Sequence, residues 1–153
     1  MPSKREYPER PIVGVGGVVI EDGRTLLIRR GSEPLRGRWS IPGGLLELGE
    51  TLTEGTIREM LEETGLTVRV VDLIEVFERI ERIDDAGGAR TRYHYVIADY
   101  LCERIHGEPV AGSDVTEAVW AKEDELREYQ LTETATRIIQ KAFSMDRARR
   151  SNG

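Results

Sequence analysis

The chain has 153 residues, 39% hydrophobic and 33% charged, with 28 acidic against 22 basic side chains and a net charge of −6. That length suits one domain around one core, and so acidic a balance excludes general nucleic-acid binding, which depends on basic surface. No apolar run is long enough to span a bilayer, the first ten residues lack the apolar stretch of a signal peptide, and one cysteine excludes an internal disulfide framework, so a cytoplasmic protein with no membrane partner is expected.

Residues 1–10 are polar and are expected to form a flexible N-terminus. Residues 11–20, Pro-Ile-Val-Gly-Val-Gly-Gly-Val-Val-Ile, are rich in β-branched side chains and predict a strand whose glycines let something pack close to the backbone. Residues 21–24 carry a hairpin turn signal, Asp22-Gly23. Residues 25–30 are the return strand, ending in Arg29 and Arg30. Residues 31–38 form a loop, residues 39–41 are short and extended, and Pro42-Gly43-Gly44 predicts a turn. Thr51 with Glu54 is a capping box and Gly65 a left-handed C-cap, so a helix lies between them. Residues 67–83 predict one long strand or two, residues 84–88 a turn, and residues 92–105 its partner strand. Cys102 sits in that apolar pattern and is expected to be an inert buried thiol. A last strand covers residues 115–121 and a helical turn residues 124–129. Leu131, Ala135, Ile138, Ile139, Ala142 and Phe143 recur at helical spacing, so residues 132–146 are a second amphipathic helix. Residues 147–153 are expected to be a disordered tail. The whole reads as one domain over residues 11–146, a mixed sheet between two helices.

Residues 43–66 carry six glutamates. At about 100° per residue, Glu59, Glu62, Glu63 and Gly55 share one wedge of the helix. Thr53, Ile57, Leu61 and Thr64, flanked by Met60, fall opposite and are expected to be the buried side. Gly55 would give clearance beside Glu59. Like charges at this spacing repel. A divalent cation would relieve that repulsion, whereas the plain alternative is a solvated acidic face.

The spacing Gly44, five residues, Glu50, seven residues, Arg58-Glu59-Met60-Leu61-Glu62-Glu63-Thr64-Gly65-Leu66 resembles the signature of the Nudix hydrolases. The lead-in Trp39-Ser40-Ile41-Pro42-Gly43-Gly44 is also similar. Met60 is a mild departure from the usual branched aliphatic residue. The order of elements resembles that family's α/β/α sandwich, an α/β (α+β) fold with a mixed sheet between helices, over residues 11–143.

The resemblance implies a pyrophosphohydrolase acting on a nucleoside diphosphate linked to another moiety. It implies that Glu59, Glu62 and Glu63 bind magnesium or manganese, with the Gly43 carbonyl as a further ligand and Glu50 as an outer or water-mediated one. Arg58 would orient the glutamates by charge-assisted hydrogen bonds; its plain alternative is a surface ion pair. The general base is either Glu59 or a carboxylate outside the motif, Glu117 first and Asp114 second. One of Arg29 and Arg30 would point inward and bind phosphate, since strand side chains alternate. Trp39 would either stack on a base or belong to the core. Tyr93 and Tyr95 share one strand face and Tyr100 the other, with packing as their default role.

The similarity is greatest to bacterial members described as ADP-ribose pyrophosphatases, although residues 67–93 lack the proline that marks some of them. The expected substrate is therefore a small nucleotide such as ADP-ribose. The alternatives are a sanitising nucleoside triphosphate pyrophosphohydrolase and a non-catalytic module that binds a nucleotide to regulate a partner. The resemblance also admits a homodimer.

Overall fold

The computed structural model describes residues 5–33, 35–112 and 114–152. Residues 1–4 and Gly153, which belong to the two ends expected to be flexible, lie outside the described residues, as do Pro34 and Ser113 of two loops.

Among the described residues, seven strands and two long helices follow in the order β1 (Ile12–Glu21), β2 (Arg24–Arg30), β3 (Trp39–Ser40), β4 (Gly43–Leu45), α1 (Leu52–Thr64), β5 (Thr67–Asp85), β6 (Gly88–His106), β7 (Val115–Lys122), a 3-10 helix (Glu123–Tyr129) and α2 (Glu133–Ser151). The sheet is mixed. β1 runs parallel to β6 and antiparallel to β4, while β6 and β5 form one long antiparallel hairpin. β1 meets β2 only beside the Asp22-Gly23 turn, where both turn residues have positive φ. β2 then leaves β1 and pairs with β3 and β7.

Alternation along β1 and β6 assigns one helix to each face. Val19, Ala98, Tyr100 and Cys102 pack with Met60 of α1. Val18, Ile20 and Leu101 pack with Ile138, Ile139, Ala142 and Phe143 of α2. Tyr95 and Tyr100 accordingly serve opposite faces, and Tyr93 stacks on Tyr95 with ring centroids 6.0 Å apart. Burial pushes the Cys102 thiol up to about 12, which fits an inert role. Gly17 shows why β1 carries glycine: a Cβ there would sit 2.7 Å from Met60 Sδ and 3.2 Å from Cys102 Sγ. Gly17→Ala is expected to destabilise the protein by about 1–3 kcal/mol through overpacking. Thermal unfolding checks this, and an unchanged midpoint would show that Met60 swings aside freely.

Two expectations, the turn at residues 42–44 and the buried side of the first helix, need correction, and both chain ends make defined contacts. Pro42-Gly43-Gly44 is not simply a turn, because Gly43–Leu45 forms strand β4 against Gly14, Val15 and Gly16. The buried side of α1 is Gly55, Thr56, Met60, Glu63 and Thr64, whereas Ile57 is 39% and Leu61 52% exposed. The carboxylate side of the helix therefore turns partly inward, onto β4. The C-terminal tail is helical as far as Ser151: Arg150 pairs with Asp146 at 2.8 Å and Arg147 with Glu123 at 2.8 Å, holding the last turns. Within the N-terminal stretch, Tyr7 donates its N–H to the Arg92 carbonyl at 2.8 Å, Glu6 pairs with Arg92, and Arg90 lies over the Tyr7 ring.

Candidate active site

The site begins at α1. Thr51 caps it by accepting from the Glu54 N–H at 3.1 Å, and Gly65 ends it at φ 76°. These two stops set which residues share a face. Arg58 lies at the centre. Its Nε and Nη2 donate to the two oxygens of Glu50 at 2.6 and 2.8 Å, a bidentate fork. Nη1 donates to Glu59 at 2.8 Å and to Glu62 at 3.2 Å, and Nη2 also to the Leu45 carbonyl at 2.9 Å. Glu47 lies 3.6 Å away. One guanidinium thus answers four carboxylates. The fork from Arg58, together with the Glu47 N–H, lowers the Glu50 carboxyl to about 2.

Strand β4 runs beside these glutamates, and glycine is required there. A Cβ on Gly44 would collide with the Glu59 carboxylate, and one on Gly43 with the Val15 carbonyl. The Gly43 N–H donates to Glu63 Oε1 at 2.7 Å. Glu63 is 7% exposed, and burial pushes its carboxyl up to about 7, with Glu59 and Asp114 adding to the rise and Arg30 opposing it. Burial also raises Glu59, against the pull of Arg58. Gly55 has a different purpose from the one expected: a Cβ there would meet Leu46 and Glu50, not Glu59.

On the other side of β4 opens a cavity of about 340 Å³. Gly14 and Gly16 of β1 form part of its floor, Trp39, Ile41, Phe77 and Ile97 supply apolar walls, and Arg30 and Asp99 are among its charged groups. The motif glutamates and this cavity share the Gly43–Leu45 strand as a common wall.

The sequence profile of the NUDIX domain matches residues 10–142. The chain is a member of the Nudix domain family. It is 38% identical over 108 residues to a protein of Methanocaldococcus jannaschii named ADP-ribose pyrophosphatase, covering 71% of this chain and 60% of that protein. It is 34% identical over 139 residues to a MutT-like protein of Streptomyces ambofaciens, covering 90% of this chain and 81% of that one. Among solved structures, the MutT Nudix hydrolase of Burkholderia pseudomallei superposes with a TM-score of 0.72 at 31% identity, over 87% of this chain and 98% of that one. The Nudix domain of Shewanella oneidensis NrtR, solved with ADP ribose, has the same fold at 19% identity and a TM-score of 0.71, over 90% and 89% of the two chains.

In this Nudix chain the residues singled out by sequence divide into three places. Arg58, Glu50, Glu59 and Glu62 form the cluster described, with Glu63 and Gly43 bonded to each other beside it. Arg30 and Trp39 line the cavity, where Trp39 stands edge-on to Tyr129 at 5.2 Å. Arg29 points elsewhere: it pairs with Glu117 at 3.1 Å, and the two are cross-strand partners in β2 and β7. Asp114, not Glu117, is among the charges that act on Glu63.

Members of this family generally need a divalent metal. Among the described residues no three acidic, histidine or cysteine side chains close on one point at ligand distance; Glu50, Glu59 and Glu62 close on Arg58 instead. The donor set still fits a hard divalent cation. It is all oxygen, and its four carboxylates carry three more negative charges than the single Arg58 guanidinium offsets. No described helix is long and apolar enough to cross a membrane.

Sequence reasoning missed Asp99 and gave Tyr95 only a packing role, yet both line the cavity. Burial pushes the Asp99 carboxyl up to about 7, with Glu75 adding to the rise. A signal was available: Asp99 is the one acidic residue in the run Tyr95-Val-Ile-Ala-Asp-Tyr-Leu-Cys, with the same strand parity as Tyr95 and Ile97.

Proposed function

We propose that the protein is a magnesium-dependent pyrophosphohydrolase that cleaves a nucleoside diphosphate linked to another moiety, such as ADP-ribose, into a nucleoside monophosphate and a phosphorylated remainder. The observation that carries this reading is the convergence of four carboxylates on Arg58 at one side of strand β4, whose other side borders a cavity that holds Arg30 and Trp39. The likeness to a protein named ADP-ribose pyrophosphatase supports the substrate class, and the single buried cysteine supports a cytoplasmic location.

In this reading Glu59, Glu62 and Glu63 hold the cation. Bound there, magnesium supplies charge neutralisation for the pyrophosphate and a more acidic water. Arg58 orients Glu50 and Glu59 by charge-assisted hydrogen bonds. Glu59, with its carboxylate against Gly44, is placed to take a proton from the attacking water. Arg30, half-buried at the cavity wall, offers its guanidinium to a phosphate oxygen. Trp39 gives an apolar surface to the base. Asp114 and Glu117 are the further candidates for the base. Asp114 has the better electrostatic access to Glu63, because Glu117 is engaged by Arg29.

The test is a substrate panel of ADP-ribose, nucleotide sugars, diadenosine polyphosphates and ordinary and oxidised nucleoside triphosphates, run with magnesium and with a chelator. One substrate of the first class should dominate, and the chelator should abolish its turnover. A triphosphate as winner would replace this reading with a sanitising enzyme. Metal-bound protein that turns over nothing would indicate a regulatory nucleotide-binding module.

A further inference from the structure

Two polar groups of the cavity have no part in the chemistry above. Asp99 is 4% exposed and lines the cavity from β6. Its carboxylate lies across Gly16, where a Cβ would collide with Oδ1, so β1 leaves room for this side chain at that point. Among the described residues, no hydrogen bond or ion pair ends on the Asp99 side chain. Two residues before Ile97 on the same strand face, the Tyr95 hydroxyl is also buried without a hydrogen-bond partner. Buried polar groups are nearly always paired, so the Tyr95 hydroxyl, two positions along the strand face from an Asp99 carboxylate that opens on the same cavity, calls for an explanation. The walls around them are flat and apolar: Trp39, Ile41, Phe77 and Ile97. Across the sheet, Gly16 pairs with Asp99 on one side and with Gly43 on the other. The Asp99 backbone is therefore two strands from Gly43, while its carboxylate reaches over Gly16 toward the Pro42 carbonyl. It stands on the cavity side of β4 among the apolar walls, with the motif glutamates on the other side.

We propose that Asp99 and Tyr95 select the base: the cavity takes a nucleobase bearing an exocyclic amino group, which donates to the Asp99 carboxylate while the Tyr95 hydroxyl serves a ring nitrogen, and it rejects the oxo base of the same shape. This rests on the reading of the site as a nucleotide pyrophosphohydrolase and names its substrate class more narrowly. The chemistry follows from the inventory of donors. An ionised carboxylate only accepts, and an amino group only donates. A ring carbonyl in the same place would set two acceptors against each other out of water, leaving both unpaired. Sites built on such a bond discriminate strongly against the analogue that lacks it. The aromatic and aliphatic walls suit the ring faces whatever the base, so selection falls on the polar edge.

The test compares matched amino and oxo substrates, ADP-ribose against IDP-ribose and CDP-linked against UDP-linked sugars, with the full chain, magnesium and a pH of about 8.5, where the carboxylate is ionised. Wild-type protein should favour the amino member in kcat/KM by about 100-fold or more. Asp99→Asn, whose amide donates as well as accepts, should shrink that ratio at least about tenfold, and Tyr95→Phe should raise KM for both members with little change in kcat. Asp99→Ser is the second variant should the asparagine variant not fold, and circular dichroism monitors both. Calorimetric titration of AMP and IMP onto the wild-type protein gives a readout that needs no turnover, and AMP should bind the more tightly. An amino-to-oxo ratio near one, a ratio unchanged in folded Asp99→Asn, or equal affinity for AMP and IMP overturns the proposal. Preferential AMP binding without hydrolysis of any substrate overturns the pyrophosphohydrolase reading and leaves base selection standing.

Discussion

Glu59→Gln is expected to lower turnover of the preferred substrate by about 10³-fold, within the range for losing a general base or a ligand carboxylate. The substitution removes a charge and almost nothing else. Glu59 lies against the glycine backbone at Gly44, so glutamine, with the same shape, fills the same space. Arg58 loses one partner and keeps its two bonds to Glu50. Burial already works against the ionised form of Glu59, so the neutral side chain should leave thermal stability unchanged or slightly higher. Glu62→Gln tests the next residue of the same wedge, and a loss of similar direction is expected. Steady-state kinetics with saturating magnesium, beside circular dichroism of each variant, separates lost chemistry from lost fold. Near-normal turnover in both folded variants would sink the assignment of this helix as the catalytic centre.

Arg58→Ala should act on stability and should do so mainly without metal. Of the four carboxylates near this guanidinium, Glu47 and Glu62 are 65% and 48% exposed and contribute little. Glu50 and Glu59, at 16% and 13%, are sheltered pairs, and truncating Arg58 leaves them facing each other and the Leu45 carbonyl without a donor. A cost of about 1–2 kcal/mol is expected, mostly from leaving Glu59 without its donor and below that of a fully buried pair, because water reaches Arg58 and Glu50. For a domain of this size that is roughly a 2–8 °C fall in melting temperature. Magnesium should recover part of it, because a cation bound to Glu59, Glu62 and Glu63 opposes the same repulsion and stabilises by mass action. Arg58→Lys should not rescue the loss fully, since an ammonium lacks the planar fork that holds both Glu50 oxygens. Unfolding curves with and without magnesium decide the matter. A metal-free Arg58→Ala protein as stable as wild type would show that the cluster is a solvated acidic face, the plain alternative to a metal site.

Arg58 and the glutamates were legible because a helix imposes a fixed angle per residue, so spacing alone puts Glu59, Glu62 and Glu63 on one wedge. The same periodicity does not say which wedge is buried. Ile57 and Leu61 look like a core stripe, yet they face outward, because strand β4 approaches the helix from the carboxylate side and the Gly43 N–H draws Glu63 inward. Gly55 was likewise noticed as a clearance but matched to the wrong neighbour. Sequence marks a missing side chain without saying what fills the room, and here Leu46 and Glu50 fill it while Gly44 accommodates Glu59.

Strand alternation showed that only one of Arg29 and Arg30 would point inward, but not which one; the cross-strand pairing of Arg29 with Glu117 decides it, leaving Arg30 at the cavity. The helical end of α2 was hidden because its hydrophobic pattern stops near Phe143, and the final turns are held by ion pairs to Asp146 and Glu123 instead of by apolar burial. The sequence by itself determined most of the elements, the family and the motif that carries the proposed chemistry, since caps, turns and periodicity act over a few residues. Only the tertiary structure brought the residues of the cavity together. Asp99, Tyr95, Gly16, Trp39 and Phe77 are scattered over more than 80 positions of the chain, and they meet because β1 runs parallel to β6 and brings Gly16 beside Asp99. No local rule reports that pairing.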